Sequence, residues 1–521
     1  MAGSLDVLLR GAMLVGGALA LGGVVFVRLA LRPHDSGPDG AAARSLRLIA
    51  AGGAVVAVAQ AAIVLIAASA VGIGSVTFPA FAATPFAWAS ATRIVLATAL
   101  AVTALALTRT SATPSGWAVV SVLSVLLVTS SAAISHAAAR VDHRPTLLLL
   151  DALHQGAAAV WVGGLVHLLV WHRRHRENAA RDAAVARRVS SIAAVCVIVL
   201  VLAGLALSLY YVGDRGALVE TAYGVMVLTK TVLLLAMLAL GAANYRLVRR
   251  AAVAASTRRL MRFVEVEIGL AVTVLFAAAS LTSVPPAVDV RDDRASFSEV
   301  VARFTAMPPR FASPNVDDLL RQTNPLAGGP ETRLEIERQW SESNHHWAGV
   351  FVLGMGLAAI AHGAGVRVAR HWPLLMVGLA VFLFVRNDPE VWPLGPIGVW
   401  ESLAQPEIAQ HRMFMILVML FGAFEWAVRV GRLPVRPWGY VFPMICAVGG
   451  GLLLTHSHTV FSLKEAFLME VTHAPIGVLG AFAGWARWLE LRLPDVGRAP
   501  GRIWRGCLVG VGVVLLFYSE G

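Results

Sequence analysis

Long apolar runs recur along almost the whole chain and limit it to one class of fold. A helix needs about 20 predominantly apolar residues to cross the hydrocarbon core of a bilayer. About fourteen such runs occur in 521 residues, of which 57% are hydrophobic and 14% are charged. The sequence therefore predicts an all-α polytopic membrane protein with about fourteen transmembrane helices rather than a soluble protein. The predicted spans are 5–31, 46–72, 93–108, 115–138, 146–171, 189–212, 222–245, 263–284, 346–366, 372–386, 411–429, 438–456, 468–489 and 503–518.

The formal charge of +12 comes almost entirely from arginine, which is concentrated in short loops between the predicted spans. Positive residues in short loops mark the cytoplasmic side of a membrane protein. The arginine-rich loops after spans five, seven, eleven and thirteen all fall on one side. We therefore predict that this side is cytoplasmic, that both termini are extracytoplasmic, and that the positive charge meets membrane lipid and no nucleic acid.

A polar segment divides the chain into two halves. Residues 287–344 are rich in Pro, Asp, Glu and Arg and contain no long apolar run. We expect this segment to be an extracytoplasmic loop with about one short helix. An arrangement of eight plus six transmembrane helices follows, with an eight-helix domain at 1–286 and a six-helix domain at 345–521.

The first group of candidate metal ligands lies in spans four and five. His136 ends span four, and His154 lies inside span five with Asp151 three residues before it on the same helix face. Gly163 and Gly164 follow in span five, where small residues let a neighbouring helix approach closely. An ionisable residue within a span is a functional-site hypothesis. The alternative is a histidine–aspartate hydrogen bond that only locks two helices together.

Lys230 is the second unusual residue, because it lies about eight residues into span seven. A lysine at that depth requires a partner or a water-filled cavity. Asp151 lies at a similar depth, so we predict that Asp151 and Lys230 form an intramembrane charge pair or gate. Glu265 and Glu267 lie at the predicted cytoplasmic start of span eight, where we expect both to pair with the surrounding arginines.

Several stretches between residues 130 and 286 carry a recognisable pattern. They are SHAAA, a helix with the spacing LH–WVGGL, and the spacing YG–LTK before a run that ends in AANYR. These stretches resemble the CopD family of bacterial inner-membrane copper proteins. The resemblance implies copper uptake or handling in the bacterial inner (plasma) membrane, often beside a small periplasmic copper-binding protein. The ligands that it implies are His136 and His154.

A second and larger group of candidate ligands lies at the outer ends of spans nine, eleven, twelve and thirteen. Histidine and methionine at one end of a helix bundle are typical of a soft-metal site, and copper is the first candidate. One-turn spacings place His411 and Met415 on one face, and Met469 and Glu470 on a face with His473. We therefore predict an outward-facing site for Cu(I) or Cu(II). Its candidate ligands are His345, His346, His411, Met415, His456, His458, Met469, Glu470 and His473.

Three functions follow from these patterns. The first is a copper-handling membrane protein that takes up copper or transfers it across or along the membrane. Imidazole also suits zinc or haem iron, so the alternative is a b-type cytochrome-like electron-transfer protein with His-ligated haem. In the third, the six-helix half delivers copper to another copper protein. The sequence contains no nucleophile–base arrangement, P-loop or dinucleotide fingerprint, so we expect no enzymatic activity.

Overall fold

Helices make up nearly all of the computed structural model of this chain. It describes residues 2–31, 40–72, 77–110, 113–173, 179–250, 254–322, 330–454, 463–494 and 497–520. The β-structure among these residues is one isolated bridge between Val391 and Ile397. The predicted all-α fold is therefore confirmed. The described residues divide into two compact units, one up to Arg294 and one from Ala295 onwards.

Eight long helices build the first unit, and all eight are long and apolar enough to cross a membrane. The first of them, α1, packs against α2, α4, α5 and α8 and so lies at the centre of this unit. A π-helical turn at Phe26–Ala30 extends α1. The helices are α1 (Ala2–Val25), α2 (Ala41–Ala70), α3 (Pro85–Leu107), α4 (Pro114–Thr129), α5 (Arg144–His172), α6 (Ala179–Val212), α7 (Ala222–Arg250) and α8 (Ala254–Leu281).

Glycine brings α1 and α5 into backbone contact. A Cβ atom placed on Gly163 of α5 would lie 1.8 Å from the carbonyl oxygen of Ala18 and 2.9 Å from the Cα of Gly22. A Cβ atom on the adjacent Gly164 would meet nothing within 4 Å. The predicted close approach of a neighbouring helix is therefore confirmed for Gly163, whereas Gly164 faces open space.

Arg93 lies inside α3, although the predicted span 93–108 begins at this residue. The helix begins about two turns earlier, at Pro85, with Thr84 as the N-terminal cap. Arg93 is 4% exposed and donates hydrogen bonds to Gln60 of α2 (3.0 Å) and to Ser130 after α4 (3.0 Å). These polar partners therefore stabilise a guanidinium group that is buried inside the helix bundle.

Six long helices build the second unit. Within it α9 packs along α14, α13 contacts α12 and α14, and α10 contacts α9 and α11. Its apolar centre includes Trp372, Phe442 and Trp504. The helices are α9 (Pro330–Gly363), α10 (Leu374–Arg386), α11 (Pro406–Arg429), α12 (Val441–Leu453), α13 (His473–Arg492) and α14 (Ala499–Leu516).

Twelve helices among the described residues are long and apolar enough to cross a membrane, namely α1 to α11 and α14. The other two predicted spans, 438–456 and 468–489, correspond to α12 and α13. The α12 helix has 13 residues, a length of about 20 Å, and α13 carries Arg487 and Glu490. The count of fourteen spans and the eight-plus-six arrangement therefore stay predictions.

The polar segment between the two halves has more structure than the one short helix predicted. It contains the helices Phe297–Phe304 and Val316–Gln322. Ser296 and Glu299 cap the first of these reciprocally. Lys464 lies 2.7 Å from Glu299, and its hydrogen bond, together with those from Ser296, lowers the pKa of that carboxyl to about 2. The segment therefore contains two short helices where about one was predicted, and its extracytoplasmic position stays a prediction.

Thiol labelling tests the predicted orientation. In a variant without the native cysteines, Ala306→Cys is expected to react with an impermeant thiol reagent in intact spheroplasts, because Ala306 is exposed and lies in the predicted outer segment. Ala180→Cys, in the first turn of α6 and on the predicted cytoplasmic side, is expected to react only after lysis. Reaction of Ala180→Cys alone in intact cells would reverse the whole arrangement.

Candidate functional sites

His136 begins a separate short helix, His136–Ala139, after α4 has ended. Its Nε2 atom lies 3.1 Å from the carbonyl oxygen of Leu281 at the end of α8. The imidazole ring lies against Tyr211 and Tyr223, with ring centroids 6.2 and 6.3 Å away. Because Nε2–H donates to the carbonyl, Nδ1 is the nitrogen that is able to bind a metal.

An ion pair and two tyrosines adjoin the His136 ring. Arg140 forms a bidentate pair with Asp289 (2.8 and 2.6 Å), and these hydrogen bonds raise the pKa of Arg140. The guanidinium of Arg140 also lies 5.4 Å from the ring centroid of Tyr211. Tyr211 is 5% exposed, and its hydroxyl has no hydrogen-bond partner among the described residues. The surroundings of His136 are thus aromatic, with a fixed cation at their edge.

His154 is anchored to a different helix from His136. Its Nδ1 atom lies 2.9 Å from the carbonyl oxygen of Leu200 in α6. The ring lies against Gly204, where a Cβ atom would approach to 2.8 Å. The hydrogen bond to Leu200 leaves Nε2 as the nitrogen able to bind a metal. The two histidines implied by the CopD resemblance are therefore each oriented by a separate backbone carbonyl.

Lys230 of α7 interacts electrostatically with both Asp151 and His154 of α5. Asp151 also accepts a hydrogen bond from Gln155 (2.9 Å), which in turn accepts one from Ser131 (2.5 Å). A carboxylate, an imidazole and an ammonium group thus lie close together inside the first unit. Their role as a gate stays a prediction.

Glu267 corrects one of the expectations from sequence. Glu265 pairs with Arg262, as expected for a carboxylate near the arginine-rich end of α8. Glu267 is 2% exposed and instead accepts hydrogen bonds from Trp161 (3.2 Å) and Asn244 (2.8 Å). Residues two positions apart on a helix point in different directions, so only one of the two glutamates faces the arginines. The expected arginine pairing was therefore right for Glu265 and wrong for Glu267.

In the second unit the structure brings His345 of α9 and His473 of α13 together. Their ring centroids are 6.3 Å apart, and the His345 ring stacks on Tyr518 at 4.0 Å. The Nδ1 atom of His345 lies 2.9 Å from the carbonyl oxygen of Ser341, which leaves its Nε2 as a potential ligand. Two of the predicted ligands therefore lie in one cluster of aromatic rings.

Residues after α14 adjoin His345 and His473, although the sequence pattern did not indicate them. Glu520 accepts a hydrogen bond from Ser341, and its carboxylate lies 3.3 Å from the hydroxyl of Tyr518. Burial raises the pKa of the Glu520 carboxyl, and burial also raises the pKa of the Tyr518 phenol. A carboxyl of this kind accepts a proton at higher pH than an ordinary glutamate. The only signal in the sequence was an acidic residue directly after an apolar span.

His346 has a structural role in this arrangement. Its Nε2 atom donates to the carbonyl oxygen of Tyr518 (2.8 Å), and its Nδ1 atom accepts from the backbone N–H of Arg310 (2.7 Å). His346 is 2% exposed. Both ring nitrogens are therefore occupied, and the side chain ties the segment around Arg310 to α9 and to the residues after α14.

His411 is paired with a carboxylate. Its Nδ1 atom lies 2.8 Å from Asp388 and 3.0 Å from the side-chain nitrogen of Asn387. The second carboxylate oxygen of Asp388 is buried without a hydrogen-bond partner among the described residues. Met415, one turn further along α11, is 6% exposed and packed inside the unit. Asp388 thus orients the His411 imidazole, as carboxylates do beside metal-ligating histidines.

The remaining candidates differ in how much of them the structure describes. His456 and His458 lie outside the described residues, and so does the side chain of Met469. One helix ends at Glu470 and α13 begins at His473, so these two residues do not share the continuous helix that the predicted spacing assumed. Among the described residues, no group of three His, Cys, Asp or Glu side chains is arranged to hold a metal ion. The predicted copper ligands therefore stay predictions.

The region from α6 to α8 is similar to known proteins. Residues 183–281 match the family model of copper resistance protein D. Over 163 residues the chain is 31% identical to the copper transport protein CutJ of Bacillus subtilis (strain 168). That alignment covers 30% of this chain and 29% of CutJ, so the chain spans less than a third of the length of this relative. No solved structure matches the chain. The CopD resemblance predicted from the sequence is thus confirmed for this region.

The CopD-matched region contains the residues that orient both histidines of the first unit. Leu200 and Leu281 supply the carbonyls that bond His154 and His136, and Lys230 and Glu267 lie in α7 and α8. The histidines themselves precede the matched residues. The region that matches a copper protein family thus forms one side of the first candidate site.

Proposed function

We propose that this protein handles copper in a cell membrane, taking it up or transferring it across or along the bilayer. The observation that carries this proposal is the match of residues 183–281 to the copper resistance protein D model. The similarity to CutJ, whose name describes copper transport, supports it. A bacterial inner-membrane location, extracytoplasmic termini and a periplasmic copper-binding partner belong to the same proposal.

We infer that copper enters the second unit at an outward-facing site that includes His345 and His473. Their adjoining rings support this inference, and imidazole is a suitable copper ligand. The further ligands would come from the predicted set His411, Met415, His456, His458, Met469 and Glu470. Because a ligand must lose its proton to bind a metal, copper binding is expected to weaken as the pH falls.

We further propose that the group of Asp151, His154 and Lys230 is a deeper layer on the path of copper through the first unit, with His136 as a ligand beside it. A cation that arrives at His154 meets the field of the neighbouring ammonium group and of the Asp151 carboxylate. Occupancy by copper and the charge of Lys230 are therefore coupled. Such coupling is what an intramembrane gate requires.

Copper analysis of purified protein tests the site in the second unit. The double variant His345→Ala/His473→Ala is expected to retain less than half of the copper bound by the wild type, measured by mass spectrometry of the metal after dialysis. The control is His346→Ala, which is expected to keep its copper but to melt at a lower temperature, because both of its ring nitrogens hold the backbone. Equal copper in the wild type and the double variant would remove this site from the proposal.

Haem is the alternative to copper, and an optical spectrum separates the two. Haem gives a strong Soret band, whereas a copper site of imidazoles does not. None of the histidine contacts described above favours haem. A Soret band in protein purified from cells would replace the copper proposal with an electron-transfer function.

A further inference from the structure

One end of the second unit, where α11 and α13 finish and α14 begins, contains three arginines around one tryptophan. Trp504 is fully buried. The guanidinium carbons of Arg429, Arg487 and Arg505 lie 5.7, 5.4 and 5.0 Å from its ring centroid. Cation–π attraction partly offsets the repulsion among these like charges. We call this group, with its two carboxylates, the Trp504 cluster: Glu425, Arg429, Arg487, Glu490, Trp504 and Arg505.

The carboxylates of the Trp504 cluster balance its arginines incompletely. Glu490 accepts hydrogen bonds from Arg505 (2.9 Å), from the indole of Trp504 (2.7 Å) and from Arg487. Glu425 accepts one from the remaining arginine at 2.6 Å. Three guanidinium groups thus face two carboxylates, and one positive charge within the cluster has no counter-charge there.

Several buried nitrogen atoms in and beside the cluster have no hydrogen-bond partner among the described residues. The Nη2 atom of Arg429 and the Nε atoms of Arg487 and Arg505 are buried and make no hydrogen bond to any residue that the structure describes. The same holds for Nδ1 of His362, which interacts electrostatically with all three arginines, and for Nε1 of Trp372, whose ring lies 5.2 Å from the Arg429 guanidinium. Nearly all buried polar groups in native proteins are paired. Five unpaired nitrogens in one place therefore indicate an acceptor that these residues do not supply.

One buried oxygen of the cluster, Oε2 of Glu425, also has no hydrogen-bond partner in the described part of the chain. A ligand that pairs all of these atoms must present several anionic oxygens and at least one hydroxyl donor. A phosphate group that carries a hydroxyl meets both conditions. Water would pair the atoms but would leave the extra positive charge uncompensated.

The members of the cluster differ in their exposure. The side chains of Glu490 and Arg505 are 24% and 18% exposed, whereas those of Arg429 and Glu425 are 10% and 3% exposed. Glu490 and Arg505 are thus the more exposed members of the cluster, and Arg429 and Glu425 are the more buried ones. By the predicted orientation this end faces the cytoplasm, where basic pockets between transmembrane helices bind anionic headgroups.

We propose that the Trp504 cluster binds a phosphate group together with a hydroxyl, which are either the phosphodiester and glycerol hydroxyl of an anionic glycerolipid headgroup or the oxygens and hydroxyl of free inorganic phosphate. Arg429, Arg487 and Arg505 hold the phosphate oxygens, and Glu425 accepts the hydrogen bond of the hydroxyl. The proposal is independent of the copper function, because it rests on a different group of residues.

The test is ligand-dependent thermal stabilisation of the purified full chain in neutral detergent. Phosphatidylglycerol or inorganic phosphate is expected to raise the melting temperature, and phosphatidylcholine is not. Stabilisation by inorganic phosphate without lipid identifies a free anion as the source, and stabilisation by phosphatidylglycerol alone identifies a lipid. Sulfate carries no hydroxyl at neutral pH, so a shift equal to that of phosphate would overturn the role of Glu425.

A pair of variants on α14 separates the site from general charge effects. Arg505→Gln is expected to need at least ten times more ligand for half of the thermal shift. Arg502→Gln removes the same charge from an exposed position on the same helix and is expected to behave like the wild type. If Arg505→Gln does not fold, Arg505→Lys keeps the charge and removes the Nε–H group, with the same weakening expected. No shift with any phosphate ligand, or equal shifts in both glutamine variants, would overturn the proposal.

Discussion

Gly163→Ala is expected to destabilise the first unit severely, because the added methyl group meets backbone. A Cβ atom at this position would lie 1.8 Å from the carbonyl oxygen of Ala18. A backbone oxygen inside a packed helix does not rotate away as a side chain does, so α1 and α5 must separate. Overpacking of this kind costs about 3 kcal/mol at the upper end of its usual range. A decrease in melting temperature of roughly 5–10 °C, or loss of monodisperse protein, is expected in fluorescence-detected size-exclusion chromatography.

Gly164→Ala is the matched control for this experiment. The substitution is the same, one position along the same helix, but its Cβ atom would meet nothing within 4 Å. The variant is expected to gain a little stability, since alanine favours the helix over glycine by about 1 kcal/mol. Equal stability of the two variants would show that α1 and α5 do not touch at Gly163.

Lys230→Met is expected to abolish copper-dependent function while the protein remains folded and inserted. An ammonium group at the centre of a span costs about 3 kcal/mol on insertion scales, so its removal favours insertion. Lys230 interacts electrostatically with Asp151 and His154, and this interaction is lost in the variant. The measurement is cellular copper content at equal protein level, with copper-dependent growth as a second readout.

Leu235→Met controls for the introduced methionine, because Leu235 lies on the same helix and is 59% exposed. Its copper content is expected to equal that of the wild type. If Lys230→Met is fully active and more stable than the wild type, the ammonium group has no part in copper handling.

Long apolar runs were sufficient to predict most of the helices. The run at 263–284 became α8 and the run at 146–171 became α5, because a span must satisfy its own backbone whatever surrounds it. The glycine pair in α5 was also informative, because a residue without a side chain in a span predicts close contact with a neighbouring helix. Arg93 shows the limit of this reasoning. The predicted span began at Arg93, but partners outside α3 stabilise this residue about two turns inside the helix.

The candidate sites were harder to predict, because their contacts join distant parts of the chain. Trp161 and Glu267 are 106 residues apart, and His346 and Tyr518 are 172 residues apart. Helical spacing places a residue on a face but does not identify the helix that the face meets. The same limit applies to Glu470 and His473, whose assumed common face depended on a helix that stops between them. The Trp504 cluster was missed because arginines in predicted loops indicate orientation and not a pocket.

The central position of α1 has a consequence for biosynthesis. This helix contacts α2, α4, α5 and α8, and it is the first of them to leave the ribosome. At elongation rates of about 5–20 residues per second, the end of α8 follows α1 after roughly 15–50 seconds. During that time α1 must stay in the bilayer without its later partners, with the backbone around Gly22 exposed to lipid. The first unit therefore cannot complete its folding until the later helices have been synthesised. A membrane chaperone that shields α1 would act in this interval.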